Sequence, residues 1–269
     1  QVLYGRNGES PMPVLAATSP TDCFDAAFMA CKIALEHLTP VVLLTDAFIA
    51  NGSAAWKLPK LDELPEIHPH RVLENQKFKY SPYRRDPESL VRYWAVPGQE
   101  GYTHILGGLE KDGETGTIST DPENHHLMDN LRFGKVARIH VPDLEVEGDA
   151  NDADLLIVGF GSTYGHLHAA MAELRRRGHK VALAQLKYIN PLPANTAEVL
   201  TRYKKVVVAE QNLGQLAALL RIRINGFTPY QLDRVKGQPL RTHRIATIFE
   251  NIILDKIHAN GDTFTSRIV

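Results

Sequence analysis

The chain has 269 residues, of which 43% are hydrophobic and 23% charged, values typical of one large globular domain or two of ordinary size. Thirty basic residues against 31 acidic ones leave a net charge of −1, which gives no reason to expect nucleic acid or an anionic membrane as a partner. The longest apolar runs are far shorter than the ~18–20 residues that span a bilayer. Two cysteines are too few for an iron–sulfur cluster or a structural zinc site.

The first part of the chain predicts half of an α/β unit. Residues 14–17 form a short apolar run typical of a strand, and alanines and leucines recur at helical spacing over 26–38 after a Ser-Pro-Thr-Asp helix start. Thr39-Pro40 ends this helix, and the run 41–46 predicts a buried strand.

Residues 47–150 have a different character, because prolines are frequent and periodicity is weak. We expect an irregular extension that covers another surface of this chain or of another subunit. Within it, residues 121–138 are predicted to be helical. The acidic stretch 143–154 is interpreted as a domain boundary.

Strands and helices alternate from residue 153 onward. The predicted strands are 155–158, 181–186 and 206–209, and the predicted helices are 166–177, 195–203, 214–224 and 244–258. Such alternation predicts a parallel, doubly wound sheet with right-handed crossovers.

Two polar segments follow predicted strands, at the edge where open α/β sheets bind ligands. Gly159-x-Gly161-x-x-x-Gly165 has neither the spacing of a dinucleotide-binding turn nor that of a phosphate loop, so we interpret it as a tight turn capped by Ser162 or Thr163. Glu210-Gln211-Asn212-x-Gly214-Gln215 is interpreted as a helix cap or subunit contact in preference to a small-molecule site.

The opening loop Gly5-Arg6-Asn7-Gly8-Glu9 could present a guanidinium to a carboxylate in bidentate fashion. On these residues alone an ordinary surface turn is the favoured interpretation. The 12 histidines show no familiar metal-ligand spacing, so we expect no metal site in this chain.

Several motifs, in order over nearly the whole chain, resemble the alpha subunits of 2-oxoacid:ferredoxin oxidoreductases, most closely the 2-oxoglutarate type. They are Gly5-Arg6-Asn7-Gly8-Glu9-Ser10-Pro11-Met12-Pro13, Leu44-Thr45-Asp46-(x)4-Asn51-Gly52, Val96-Pro97-Gly98-(x)2-Gly101, Gly107-Gly108-Leu109-Glu110, Gly161-Ser162-Thr163-Tyr164-Gly165, Pro191-Leu192-Pro193 and Glu210-Gln211-Asn212-(x)1-Gly214-Gln215-Leu216. The resemblance implies an α/β fold in three parts. The C-terminal part of a thiamine-diphosphate pyrimidine-binding domain occupies 1–60, an irregular connector 61–150, and a transketolase C-terminal-like doubly wound domain 151–269.

The resemblance also implies a function. The family decarboxylates a 2-oxoacid on thiamine diphosphate, transfers the acyl group to coenzyme A, and passes electrons through an iron–sulfur cluster to ferredoxin. A beta subunit is expected to hold the diphosphate, magnesium and the cluster, in a cytoplasmic dimer of alpha-beta units. Arg6 stands at the position of the family's substrate arginine, so Arg6 and Asn7 are expected to bind the substrate carboxylate. Lys57, Arg84 and Arg85 are candidates for a second carboxylate.

The family's cofactor-activating glutamate and its Tyr-Pro-x-Thr-Pro motif do not occur in this sequence, and Gln1-Val2-Leu3 is an abrupt start without Met. We therefore expect the C-terminal portion of an alpha subunit, with no catalytic residue of its own, which alone binds no thiamine diphosphate and is inactive.

Two other interpretations stay open. One is the beta subunit of a thiamine-dependent 2-oxoacid dehydrogenase that works with lipoamide, which shares the same two domain types. The other is a non-catalytic assembly module in which residues 153–269 provide subunit contacts. The Gly-Arg-Asn-Gly-Glu loop and the long Pro-rich connector favour the ferredoxin-linked family.

Overall fold

The computed structural model of the chain describes residues 1–72 and 80–257. Its described residues form two compact units, each assembled from segments that are distant in sequence. The first unit comprises Gln1–Leu15, Ala27–Leu43 and the described part of Lys57–His140, and the second comprises Ala16–Ala26, Leu44–Trp56 and the described residues from Val141 onward. The three-part division predicted from the sequence is a different partition of the chain, and it stays a prediction.

Short strands and mostly short helices alternate along the chain. The strands are β1 (Val14–Ala16), β2 (Val42–Leu44), β3 (Val146–Gly148), β4 (Leu155–Phe160), β5 (Val181–Leu186), β6 (Tyr188–Asn190), β7 (Val206–Glu210) and β8 (Tyr230–Asp233). The α-helices are α1 (Asp22–His37), α2 (Ala47–Ala50), α3 (Pro122–Ala137), α4 (Tyr164–Arg176), α5 (Thr196–Thr201), α6 (Gln215–Arg223) and α7 (Thr242–Ile253). Single 3₁₀ turns lie at Leu61–Glu63 and Gly161–Thr163. No helix in the described part of the chain is long and apolar enough to cross a bilayer.

Between α2 and α3 the described residues form one 3₁₀ turn, Leu61–Glu63, and isolated β-bridges, in agreement with the irregular structure predicted for this part of 47–150. Asp121 caps α3, because its side chain accepts a hydrogen bond from the Glu123 backbone N–H at 2.9 Å, and a proline opens the helix. Near the other end of α3, the Lys135 ammonium donates to the Leu38 carbonyl at 2.8 Å. The helix predicted over 121–138 is confirmed.

The second unit is built around a five-stranded sheet with the order β3-β5-β4-β7-β8. Strands β4, β5, β7 and β8 are parallel, and the α/β architecture predicted from residue 153 onward is confirmed. One face of the sheet packs against α4 and α7, where Leu155 and Ile157 meet Leu174 and Phe249 in a cluster of fully buried side chains. Burying these side chains is the main stabilising contribution to this unit.

Three details correct the sequence-based expectations. Strand β3 lies inside the stretch 143–154 that was interpreted as a boundary, and it pairs with β5 in antiparallel fashion, so the sheet is not wholly parallel. Strand β8 follows α6 and was not predicted. The last predicted helix, 244–258, is wrong in its end, because α7 stops at Ile253 and Asp255 adopts a left-handed φ of 55°. Residue 258 lies outside the described residues.

A smaller sheet has the strand order β2-β1-β6, and Ala16, Leu44 and strand β6 of this sheet belong to the second unit. Ala16 donates its backbone N–H to the Lys187 carbonyl at 2.8 Å, and Ala17 donates to the Leu44 carbonyl at 3.1 Å. These bonds join residues 16–17 to residues 44 and 187 within the second unit.

Candidate functional site

In the first unit, the side chain of Arg6 is braced by its own loop. Its two terminal nitrogens donate to the backbone carbonyls of Val2 and Ser10, and its buried Nε has no hydrogen-bond partner among the residues that the structure describes. The loop folds back tightly, because the Gly5 N–H donates to the Gln1 carbonyl at 2.7 Å. A Cβ on Gly5 would lie 2.9 Å from the Gln1 backbone, so a residue with a side chain does not fit there.

This bracing leaves part of the guanidinium available. A guanidinium has five N–H donors, and the two backbone bonds use one on each terminal nitrogen. Asn7 is exposed beside Arg6. The loop therefore presents a fixed positive charge with N–H groups to spare, the arrangement that bidentate carboxylate binding needs.

The candidates for a second cation lie in the same unit in different surroundings. Lys57 is exposed, and the Arg84 guanidinium lies 6.0 Å from the centre of the Tyr93 ring. Arg85 is half-buried and donates to the Leu90 carbonyl at 2.9 Å. Burial, together with the nearby Arg92 and Arg132, lowers the pKa of Arg85 to about 10.

In the second unit, a cavity of about 260 Å³ opens beyond the carboxyl ends of β4 and β7. From β4 the chain continues to β5 on one side of the sheet, and from β7 it continues to β8 on the other side. The cavity therefore lies at the topological switch point, where ligands of open α/β sheets bind. Its apolar wall includes Leu44, Ile49 and Phe160, and its polar wall consists of Thr45, Asp46, Ser162, Thr163, Gln211 and Asn212.

Asp46 and Ser162 join two distant parts of the chain at this cavity. The Asp46 side chain accepts the Ile49 backbone N–H at 3.0 Å and so caps α2, and it also accepts the Ser162 hydroxyl. The Thr163 hydroxyl donates to the Phe160 carbonyl at 2.8 Å. The interpretation of Ser162 or Thr163 as the side-chain cap of α4 is thus wrong, although the predicted tight turn is confirmed as a 3₁₀ turn.

The polar segment after β7 divides into a buried anchor and a cavity wall. The fully buried Glu210 carboxylate accepts the backbone N–H groups of Leu216 at 2.8 Å and Ala217 at 3.0 Å. Burial raises the pKa of Glu210 despite these bonds. The Asn212 side chain accepts the Gln215 N–H at 2.8 Å at the start of α6, but the N-cap residue is Gly214 and not Asn212 as predicted. The Glu210 carboxylate thus binds the first turn of α6, whereas Gln211 and Asn212 line the cavity.

Comparison with known proteins covers both units. Residues 1–118 match the family model described as pyruvate flavodoxin/ferredoxin oxidoreductase, thiamine diphosphate-binding, and residues 153–245 match pyruvate:ferredoxin oxidoreductase core domain II. The 2-oxoglutarate oxidoreductase subunit KorA of Mycobacterium tuberculosis is 52% identical over 221 residues, which are 82% of this chain and 34% of that protein. Subunit alpha of 2-oxoacid:ferredoxin oxidoreductase 2 of Aeropyrum pernix is 29% identical, over 93% of this chain and 40% of that protein.

A solved structure has the same fold over most of this chain. The 2-oxoglutarate:ferredoxin oxidoreductase from Magnetococcus marinus, with 2-oxoglutarate, coenzyme A and succinyl-CoA bound, superposes with a TM-score of 0.83 at 29% identity, covering 94% of this chain and 44% of that one. The chain thus spans about a third of the mycobacterial subunit and less than half of the others. Two domain models in the predicted order, a relative at 52% identity and a shared fold agree: the chain belongs to the family of 2-oxoacid:ferredoxin oxidoreductase alpha subunits.

Proposed function

We propose that the chain is part of the alpha subunit of a 2-oxoglutarate:ferredoxin oxidoreductase, which converts the 2-oxoacid and coenzyme A to carbon dioxide and an acyl-CoA and passes two electrons to ferredoxin. The observation that carries the substrate assignment is the 52% identity to a 2-oxoglutarate oxidoreductase subunit. The fold shared with an oxidoreductase that holds 2-oxoglutarate, coenzyme A and succinyl-CoA supports it. Neither observation points to a lipoamide-linked enzyme.

Within this function Arg6 is the residue that holds the substrate. A 2-oxoacid brings a carboxylate that must be kept in one orientation until it leaves as carbon dioxide. An arginine stays charged across the physiological pH range and matches the two carboxylate oxygens with parallel N–H groups. Bracing by Val2 and Ser10 limits the side-chain freedom that binding would otherwise remove. Asn7 adds a second polar contact beside it.

The remaining parts of the enzyme are assigned to a partner. Thiamine diphosphate supplies the carbanion chemistry when it is bound. Residues 1–118 match a family model that is described as thiamine diphosphate-binding. No group of three or more His, Cys, Asp or Glu side chains among the described residues could hold a metal ion. As the family resemblance implies, we propose that a beta subunit holds magnesium, the diphosphate site and the iron–sulfur cluster, in a cytoplasmic dimer of alpha-beta units.

Substitution of Arg6 in the assembled enzyme tests this proposal. Arg6→Lys keeps the charge but loses the bidentate geometry, and Arg6→Ala loses both. We expect kcat/KM for 2-oxoglutarate to fall by roughly tenfold for the lysine and about 100-fold or more for the alanine, as for loss of a charge-assisted pair. Ferredoxin or viologen reduction is the measurement, and Arg202→Ala, an exposed arginine paired with Glu198, is the control.

Two results would contradict the proposal. Unchanged kcat/KM in a correctly assembled Arg6→Ala enzyme would remove the substrate role of Arg6. Coenzyme A-dependent turnover that reduces lipoamide and not ferredoxin would instead favour the dehydrogenase interpretation.

A further inference from the structure

We propose that the cavity at the switch point of the second unit is a binding site for a small organic cation that carries N–H donors, a primary ammonium or a guanidinium group. This site is separate in chemistry from the Arg6 loop, because its charge has the opposite sign. The inference does not depend on which 2-oxoacid the enzyme uses.

The charge of the cavity selects the class of ligand. Asp46 is the charged side chain among the residues that the structure places around the cavity, and neither lysine, arginine nor histidine is among them. A carboxylate or phosphate ligand would face this carboxylate with no cation to offset the repulsion. A cation is attracted to it, and the free lone pairs of the carboxylate provide a charge-assisted acceptor.

Three polar side chains of the cavity wall already donate hydrogen bonds within the protein. The Ser162 hydroxyl donates to Asp46, and the Thr163 hydroxyl donates to the Phe160 carbonyl at 2.8 Å. The Gln211 amide donates to the Gln238 carbonyl at 3.0 Å. The two hydroxyls keep only oxygen lone pairs, and Gln211 keeps its amide oxygen and one N–H, so these groups favour a ligand that brings its own hydrogens.

The shape of the cavity suits a cation on a short apolar stem. A volume of about 260 Å³ corresponds to roughly eight or nine water molecules at ~30 Å³ each. Leu44, Ile49 and Phe160 form an apolar wall on which an alkyl stem can lie while its charged head reaches Asp46. A free alkylamine or alkylguanidine has this chemistry, and so does a lysine or arginine side chain of another subunit.

Calorimetric titration of the full chain with methylguanidinium chloride at low salt tests the site. Tetramethylammonium chloride has the same charge but no N–H donors, so it separates hydrogen bonding from charge alone. We expect methylguanidinium to bind at one site at least about tenfold more tightly than tetramethylammonium. Equal binding of the two cations, or displacement of methylguanidinium by inorganic phosphate at constant ionic strength, would overturn the proposal.

Two matched variants locate the binding. Asp46→Asn removes the charge but keeps a good helix cap, so the fold is expected to survive, and methylguanidinium binding should weaken about tenfold or more. Asp25→Asn removes an exposed acidic charge elsewhere in the same unit and should leave binding unchanged. Wild-type affinity in a folded Asp46→Asn chain would place the site elsewhere. If that variant does not fold, the comparison of methylguanidinium with tetramethylammonium on the wild-type chain still tests whether the cavity binds a cation through its N–H donors.

The assembled enzyme distinguishes the two sources of the cation. If the ligand is a free molecule, methylguanidinium binds the isolated chain and the complex with similar affinity. If a side chain of another subunit fills the cavity, the complex excludes methylguanidinium, and Asp46→Asn weakens subunit association. Either outcome supports the site once the isolated chain has shown binding that depends on Asp46.

Discussion

The buried Glu210 carboxylate stabilises the start of α6, but burying its negative charge costs free energy. Its carboxylate accepts two backbone N–H groups at the start of α6, which otherwise lack intrahelical partners. Burial nevertheless raises its pKa from the ordinary value of 4.5, with Asp233 adding to the effect. The folded chain therefore holds the proton of this carboxyl more tightly than the unfolded chain does.

This shift predicts a pH-dependent stability. A raised pKa in the folded state means that the contribution of Glu210 to stability is fully present below pH 4.5 and is lost as pH rises through the raised value. Glu210→Gln does not titrate, so the free energy of unfolding of the wild-type chain should decrease relative to this variant as pH rises. Urea unfolding of both chains between pH 4 and pH 8 measures the difference.

Glu250 is a control with the opposite sign. It pairs with His179 at 3.0 Å and Arg177 at 2.9 Å, and these partners lower its pKa below 4.5. Relative to Glu250→Gln, the wild-type chain should therefore gain stability as pH rises through the lowered pKa toward 4.5. For each acid, the free energy of unfolding of the wild-type chain is compared with that of its glutamine variant as pH rises through the shifted pKa. A change in the same direction for Glu210 and Glu250 would contradict the assigned causes.

At the scale of elements, the cap of α3 predicts a measurable loss. Asp121 supplies the side-chain acceptor for the Glu123 N–H at the start of this 16-residue helix. Asp121→Ala should lower the free energy of unfolding by about 1 kcal/mol, within the usual range of about 0.5–2 kcal/mol for a lost cap. Asp121→Asn keeps the acceptor and should change stability far less. Equal effects of the two substitutions in thermal or urea unfolding would show that the cap does not stabilise α3.

The elements that the sequence predicts well are those with strong local signals. Helix α3 has a capping aspartate and a proline at its start, and β4 is a continuous apolar run, so both were predicted close to their observed bounds. Strand β3 has three residues at a sheet edge, and β8 has the sequence Tyr-Gln-Leu-Asp, so neither has a distinct pattern. Such strands form because a neighbouring strand offers its hydrogen-bonding edge, which is tertiary information.

The same distinction separates the two parts of the candidate site. The Arg6 loop is local, since its bracing partners Val2 and Ser10 are four residues away, and its glycine-rich sequence singled it out. The bond between Ser162 and Asp46 joins residues 116 positions apart. No periodicity or spacing could pair them, because only the folded sheet brings the end of β4 beside residues 44–46.

At the scale of the whole molecule, the proposed division of labour predicts where the cofactor binds. In the proposed enzyme, the diphosphate site and magnesium belong to the beta subunit. Because thiamine diphosphate is anchored mainly through its diphosphate and magnesium in this proposal, the 269-residue chain alone should show no stoichiometric binding of the cofactor. The assembled alpha-beta complex should bind it tightly, and isothermal titration with magnesium present compares the two. Tight one-to-one binding by the isolated chain would mean that its own residues hold the cofactor, and the diphosphate site would then have to be assigned to this subunit.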